Sequence, residues 1–94
     1  MKISFEWDEH KNLKNFKKHG VWFEEAQTVW ADSLSIEFYD RDHSLKEDRF
    51  IRIGRSSSLK TLLIIFCERH ENLIRIVSAR PLTKNEREQY EKGI

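Results

Sequence analysis

A chain of 94 residues with three Trp and six Phe is large enough for one modest hydrophobic core, so a single domain over residues 1–94 is expected. No stretch approaches the roughly 20 apolar residues of a membrane helix, and no signal-peptide pattern opens the chain, which excludes membrane spans and favours the cytoplasm. The net charge of +1 hides a division: residues 1–48 carry seven Lys/Arg against eleven Asp/Glu, and residues 49–94 carry ten against five.

Ile3-Ser4-Phe5-Glu6-Trp7 alternates apolar and polar side chains and reads as an opening strand. Asp8 suits the N-cap of a helix running to about Lys18, with Glu9 in its first turn, Leu13 and Phe16 as its buried residues and Gly20 as its C-cap. Phe23, Ala26, Val29 and Trp30 define a second helical face that ends near Asp32. From there the period falls to two. Leu34, Ile36 and Phe38 alternate with polar neighbours, and the polar stretch DRDHSLKED, residues 40–48, turns the chain.

Phe50 to Arg55 is the next strand, with Ile51 and Ile53 on one face and Arg52 on the other. Thr61 to Glu68 is almost continuously apolar, as expected of a central strand buried on both faces. Cys67 lies in that run and reads as a small buried hydrophobe; a single cysteine forms no internal disulfide, which fits a reducing compartment. His70-Glu71-Asn72 turns into a strand over Leu73–Ala79, and Thr83 with Glu86 forms a capping box for a last helix.

The order is βααββββα, an α+β domain with a mostly antiparallel sheet and its helices packed on one face. In a regular final strand Ile74, Ile76 and Ser78 face the helices, while Arg75, Val77 and Ala79 face away. Arg52 and Arg75 are then expected on the uncovered face. Between residues 49 and 80 the basic residues are six Arg and one Lys. Bidentate recognition of phosphate favours Arg in this way, whereas a solvated surface does not, so the second half suits an anionic ligand.

Several short pieces stand in order along nearly the whole chain: Trp7-Asp8, Lys11, Asn15, Lys18-His19-Gly20-Val21, Phe23 and Ala26. Asp42-His43-Ser44, Glu47, Arg49, Gly54 and Ser56 follow, then RIVSAR at residues 75–80, Glu86 and Tyr90. In these the chain resembles the BrnT toxins of bacterial type II toxin–antitoxin systems, whose fold is similar to that of RelE-type ribonucleases. The resemblance implies ribosome-independent RNA cleavage. It also implies neutralisation by a BrnA-like antitoxin with a DNA-binding domain, so that DNA is met only through the partner. Two positions depart from the family pattern: Trp22 stands where a small polar residue is expected, and Pro81 where a basic residue is common.

RNA cleavage without a metal needs three things: a base for the 2′-hydroxyl, donors for the non-bridging phosphate oxygens and a proton for the leaving 5′-oxygen. Arg75, Arg80 and Arg49 are the candidate catalytic donors, and Arg52 and Arg55 the candidate substrate contacts. The alternative is surface ion pairs worth ~0–1 kcal/mol each. His43, whose unperturbed pKa lies near ~6.5, and Glu47 are candidate bases; alternatively Asp42-His43-Ser44 only caps a turn. Tyr90 is placed to stack a base or donate a proton, or else to pack its helix on the sheet.

His10, His19 and His70 lack metal-ligand spacing, so neither a metal nor another cofactor is expected. Trp22 is the candidate partner contact. The rival reading is a non-catalytic module that binds RNA or protein on the same arginine-lined sheet.

Overall fold

The structure, a computed structural model, describes residues 2–93. Strand β1 (Ser4–Glu6) leads into helices α1 (Glu9–His19) and α2 (Phe23–Ala26), the latter continued by a 3-10 turn over Gln27–Ala31. Strands β2 (Ile36–Tyr39), β3 (Phe50–Arg55), β4 (Thr61–His70) and β5 (Leu73–Pro81) follow, and α3 (Lys84–Glu91) closes the chain. The five strands lie in the order β1-β5-β4-β3-β2, parallel between β1 and β5 and antiparallel elsewhere. The α+β architecture and element order are those expected from the sequence.

Asp8 starts α1 by accepting hydrogen bonds from the backbone N–H groups of His10 and Lys11, and Gly20 ends it in the left-handed conformation (φ +72°). The expected burial of Leu13 and Phe16 is overturned: they are 43% and 39% exposed, while Asn12 and Asn15 are buried. The reason is unmet backbone hydrogen bonding. Asn12 Oδ1 accepts from the Phe23 N–H at 2.8 Å, satisfying a first-turn donor of α2. The Asn15 amide donates to Ala79 O and Val21 O, both at 2.8 Å, and accepts from the Ala79 N–H at 3.1 Å. β1 has already ended at its Glu6–Arg75 pair, so Asn15 supplies the ladder bonds a longer β1 would have made. Each buried backbone group left unpaired there would cost about 1–3 kcal/mol.

On the face under α1 and α2, Val21, Phe23, Ala26 and Val29 pack against Leu62, Ile64, Phe66 and Ile76. Trp30 meets Phe5 and Phe66 edge to face and extends that core toward the sheet margins. The sheet has a second apolar face, where Ile53 and Leu63 pack with Leu82 and the half-buried Ile51, Ile65 and Tyr90. That surface needs cover too, so α3 lies across the face opposite α1 and α2 instead of beside them.

A bulge in β5 corrects the expected facing of its side chains. Ile65 pairs with Ser78 and Phe66 with Ile76, leaving Val77 as the extra residue. Beyond it the alternation reverses. Ala79, expected to face away, joins Ile74 and Ile76 in the helix-covered core; Ser78 moves to the other face, which now holds both Arg75 and Arg80. Arg52 is corrected as well, since its pairing with Ile64 sets it on the covered face.

At the start of α3 the Thr83 hydroxyl accepts from the Glu86 N–H, and the Glu86 carboxylate accepts from the Thr83 N–H. The same carboxylate receives both terminal nitrogens of Arg80, at 2.8 and 2.9 Å. These bonds, the Arg80 one first, hold the Glu86 pKa at about 2 against an ordinary 4.5. A depressed carboxyl pKa stabilises the fold above the unfolded value and loses that effect as pH falls. Glu86→Gln should therefore cost about 1–2 kcal/mol at neutral pH, the larger nominal value being reduced by solvent screening. In urea titrations its deficit relative to the parent should shrink as pH drops from 4.5 toward about 2.

Gly54 marks a close approach. A Cβ there would lie 2.6 Å from Ser35 Cβ and 2.9 Å from Val29 Cγ1, and Asp32 pins the crossing by accepting from the Arg55 and Leu34 N–H groups. Gly54→Ala should lower unfolding free energy by about 1–3 kcal/mol through overpacking, read as a fall in the urea midpoint at unchanged slope.

Candidate active site

A groove of about 410 Å³ runs over the sheet face that α3 leaves partly open. β3 and β4 form its floor, since Ile51, Ile53, Leu63 and Ile65 alternate onto this side. Asp40 and His43 stand on one wall, and Arg80, Glu86 and Tyr90 on the other.

The turn that follows β2 builds the first wall. The Asp40 N–H donates to Arg49 O at 2.8 Å, and the Ser44 hydroxyl accepts from the Arg49 N–H at 3.0 Å while donating to Asp40 O. These bonds close the loop and shape a short 3-10 turn over Arg41–His43. In such a turn residues three apart are eclipsed, which brings the Asp40 side chain against the His43 ring. His43 Nδ1 lies 3.0 and 3.1 Å from the two Asp40 carboxylate oxygens. Asp40 is 7% exposed at its side chain and His43 63%. A carboxylate only accepts, so Nδ1 carries the hydrogen, and in the neutral form of the ring the lone pair is then on Nε2. Sequence reasoning missed Asp40, because nothing in DRDHS separates a buried Asp40 from an exposed Asp42.

On the second wall Glu86 grips the end of the Arg80 guanidinium, and Nη1 also donates to Pro81 O at 3.2 Å. A guanidinium has five N–H groups in a fixed plane. Three are used here, which leaves Nε–H and the second hydrogen of Nη2, adjacent on one edge. Tyr90 packs in the cluster on this face, and its hydroxyl donates to Leu34 O at 3.4 Å. Burial, then the Asp32 charge, pushes its phenol pKa up, with the nearby Arg55 charge opposing.

The remaining candidates disperse. Arg75 shares the groove face but is paired with Glu6 at 3.1 Å; Arg69 bridges Glu6 and Glu47 at 3.7 and 3.2 Å, which ties Glu47 into the same chain of charges. Arg75 stands opposite Cys67 and Arg80 opposite Leu63, four ladder steps or about 13 Å apart. Each is drawn to a different carboxylate, Arg75 to Glu6 and Arg80 to Glu86. Arg49 and Glu47 line a second hollow that shares His43 with the groove, and among the described residues Arg49 has no carboxylate partner.

Arg55 is exposed at the end of β3, its backbone bound to Asp32. Arg52 lies outside the site: it donates to Ser35 and Glu37, both at 2.6 Å, and its guanidinium is 4.9 Å from the Trp30 ring centroid. It closes the edge of the core by a cation–π contact, so it is not free for substrate. Trp22, 40% exposed, belongs to the opposite side of the molecule. Among the described residues no three His, Cys, Asp or Glu side chains gather as a metal-ligand set.

The family described as "Ribonuclease toxin, BrnT, of type II toxin-antitoxin system" matches residues 7–86, a span that includes Asp40, His43, Arg80 and Glu86 and stops short of Tyr90. No curated protein matches the chain. Among solved structures it is similar to the 1.1 Å crystal structure of the Brucella abortus ribonuclease toxin BrnT, with 27% identity and a TM-score of 0.66. That similarity covers 89% of this chain and 99% of the Brucella one. With 80 of its 94 residues inside the matched span, the chain belongs to the BrnT family of ribonuclease toxins of type II toxin–antitoxin systems.

Proposed function

We propose that this toxin cleaves RNA in the groove between the Asp40–His43 pair and Arg80, by attack of a ribose 2′-hydroxyl on the adjacent phosphorus. The observation that carries this reading is the Asp40–His43 pair: a buried carboxylate orients the imidazole and leaves Nε2 as an acceptor at the groove wall. His43 Nε2 takes the 2′-hydroxyl proton as O2′ bonds to phosphorus. The P–O5′ bond breaks, giving a 2′,3′-cyclic phosphate and a 5′-oxygen that takes up a proton from Tyr90 or from protonated His43.

Arg80 meets the non-bridging oxygens through its free Nε–H and Nη2–H edge, and Glu86 holds the guanidinium still from the other end. The apolar floor accommodates a base lifted out of its stack. Arg49, beside His43, is the second cation on the phosphate path. The reaction runs without a metal, in the cytoplasm, and is silenced by an antitoxin with a DNA-binding domain, through which alone the toxin meets operator DNA.

His43→Ala should lower single-turnover cleavage by about 10²–10⁴. Its unfolding midpoint should fall as well, because the buried Asp40 carboxylate loses its partner, so the rates are compared per folded molecule. Arg80→Ala should cost about 10²–10³, with Arg80→Lys only partly restoring the rate, since an ammonium lacks the planar fork. Cleavage should persist in EDTA and fail on RNA carrying a single 2′-deoxyribose at the cut site. Loss of activity in chelator, or cutting of the deoxy substrate, would refute the mechanism. Arg52→Ala serves as the control: it should destabilise the fold and leave the rate per folded molecule unchanged.

A further inference from the structure

The polarity of α1 is inverted, with asparagines toward the sheet and apolar groups toward solvent. Leu13, Phe16 and, just past the helix, Trp22 are 43%, 39% and 40% exposed. The Phe16 and Trp22 rings lie flat on one another, centroids 4.2 Å apart and 10° from parallel. Scattered exposed apolar residues are ordinary, but a stacked aromatic pair continued by a leucine one helical turn away forms a ridge. Lys11, Lys14, Lys17 and Lys18 on the same helix are all exposed, and among the described residues none of them lies in a salt bridge.

Two observations select the occupant. The ridge is on the sheet side opposite the groove, so an RNA with its phosphate at Arg80 would have to wrap around the sheet to reach it. The hollow beside Trp22 is lined by Glu24 and Glu25, whose carboxylates repel phosphate. A protein segment, unlike a uniformly charged backbone, can set its apolar face on the ridge and its acidic side chains over the lysines of α1, leaving the Glu24–Glu25 side of the ridge to uncharged or basic groups. We infer that α1 and Trp22 form the docking surface for an acidic amphipathic segment of the antitoxin, anchored on the Phe16–Trp22 stack. This rests on the antitoxin partnership proposed above and adds where and through what chemistry it is made. Docking here sets affinity, and covering the groove falls to another part of the partner.

The test uses the purified toxin and the protein encoded by the adjacent reading frame, titrated calorimetrically at low and high salt. Trp22→Ala and, separately, Lys14→Glu with Lys17→Glu should each raise Kd by at least about tenfold while RNA cleavage by the free toxin is unchanged. The charge-reversed variant should also lose most of the salt dependence of binding. Unchanged Kd in both variants overturns the docking surface. Loss of cleavage in the lysine variant overturns it in favour of RNA, and a free-toxin dimer that Trp22→Ala dissociates overturns it in favour of a second copy. Failure of the unaltered toxin to bind the adjacent protein instead overturns the partnership on which the inference rests.

Discussion

The Asn15 amide closes the one place where the sheet lacks a strand, and much of the molecule is arranged around that closure. β1 is only three residues long, yet β5 continues well beyond it. By binding both the N–H and the C=O of Ala79 and also Val21 O, one side chain ties the end of β5, α1 and the entry to α2 into a single unit. The bulge at Val77 sits just before this anchor. Because Ala79 is fixed toward the core, Arg80 must turn to the groove face, and Leu82 follows it to seat α3. A polar bond in the core thus decides which way a surface arginine points.

The arginines that look alike in the sequence divide into three physical situations. Arg52 is spent on the core margin, over Trp30 and between Ser35 and Glu37. Arg69, Arg75 and Arg80 are paired with carboxylates, but only Arg80 combines a two-pronged grip with a free edge that lines the groove. Arg49 and Arg55 stay near the surface without carboxylate partners among the described residues. A preference for Arg over Lys therefore reflects stacking and fixed pairing as much as ligand binding.

Element order was legible because its signals are local: the Asp8 cap, the Gly20 stop, the Thr83–Glu86 box and the alternation of β3 and β5 all act over a few residues. The facing of side chains was less so. Leu13 and Phe16 have ideal spacing for a buried stripe, and only a bond to a residue 64 positions away explains why asparagines displace them. One extra residue at Val77 inverts the alternation after it, and no composition marks it. The site was half legible for the same reason. His43, Arg80 and Tyr90 were named from residue type and come together on one groove, whereas Asp40 becomes distinct only through its burial.

Cys67 carries a different kind of consequence. It is 2% exposed, and burial, followed by the charge and hydrogen bond of Glu47, disfavours its thiolate. An alkylating reagent meets this sulfur only when the middle of the sheet comes apart. As the one sulfhydryl in the chain, it makes the protein its own clock: the rate of thiol capture reports how often this part of the sheet and the turn over it open, without any added label. The same seclusion shields this one thiol of the folded toxin from oxidants.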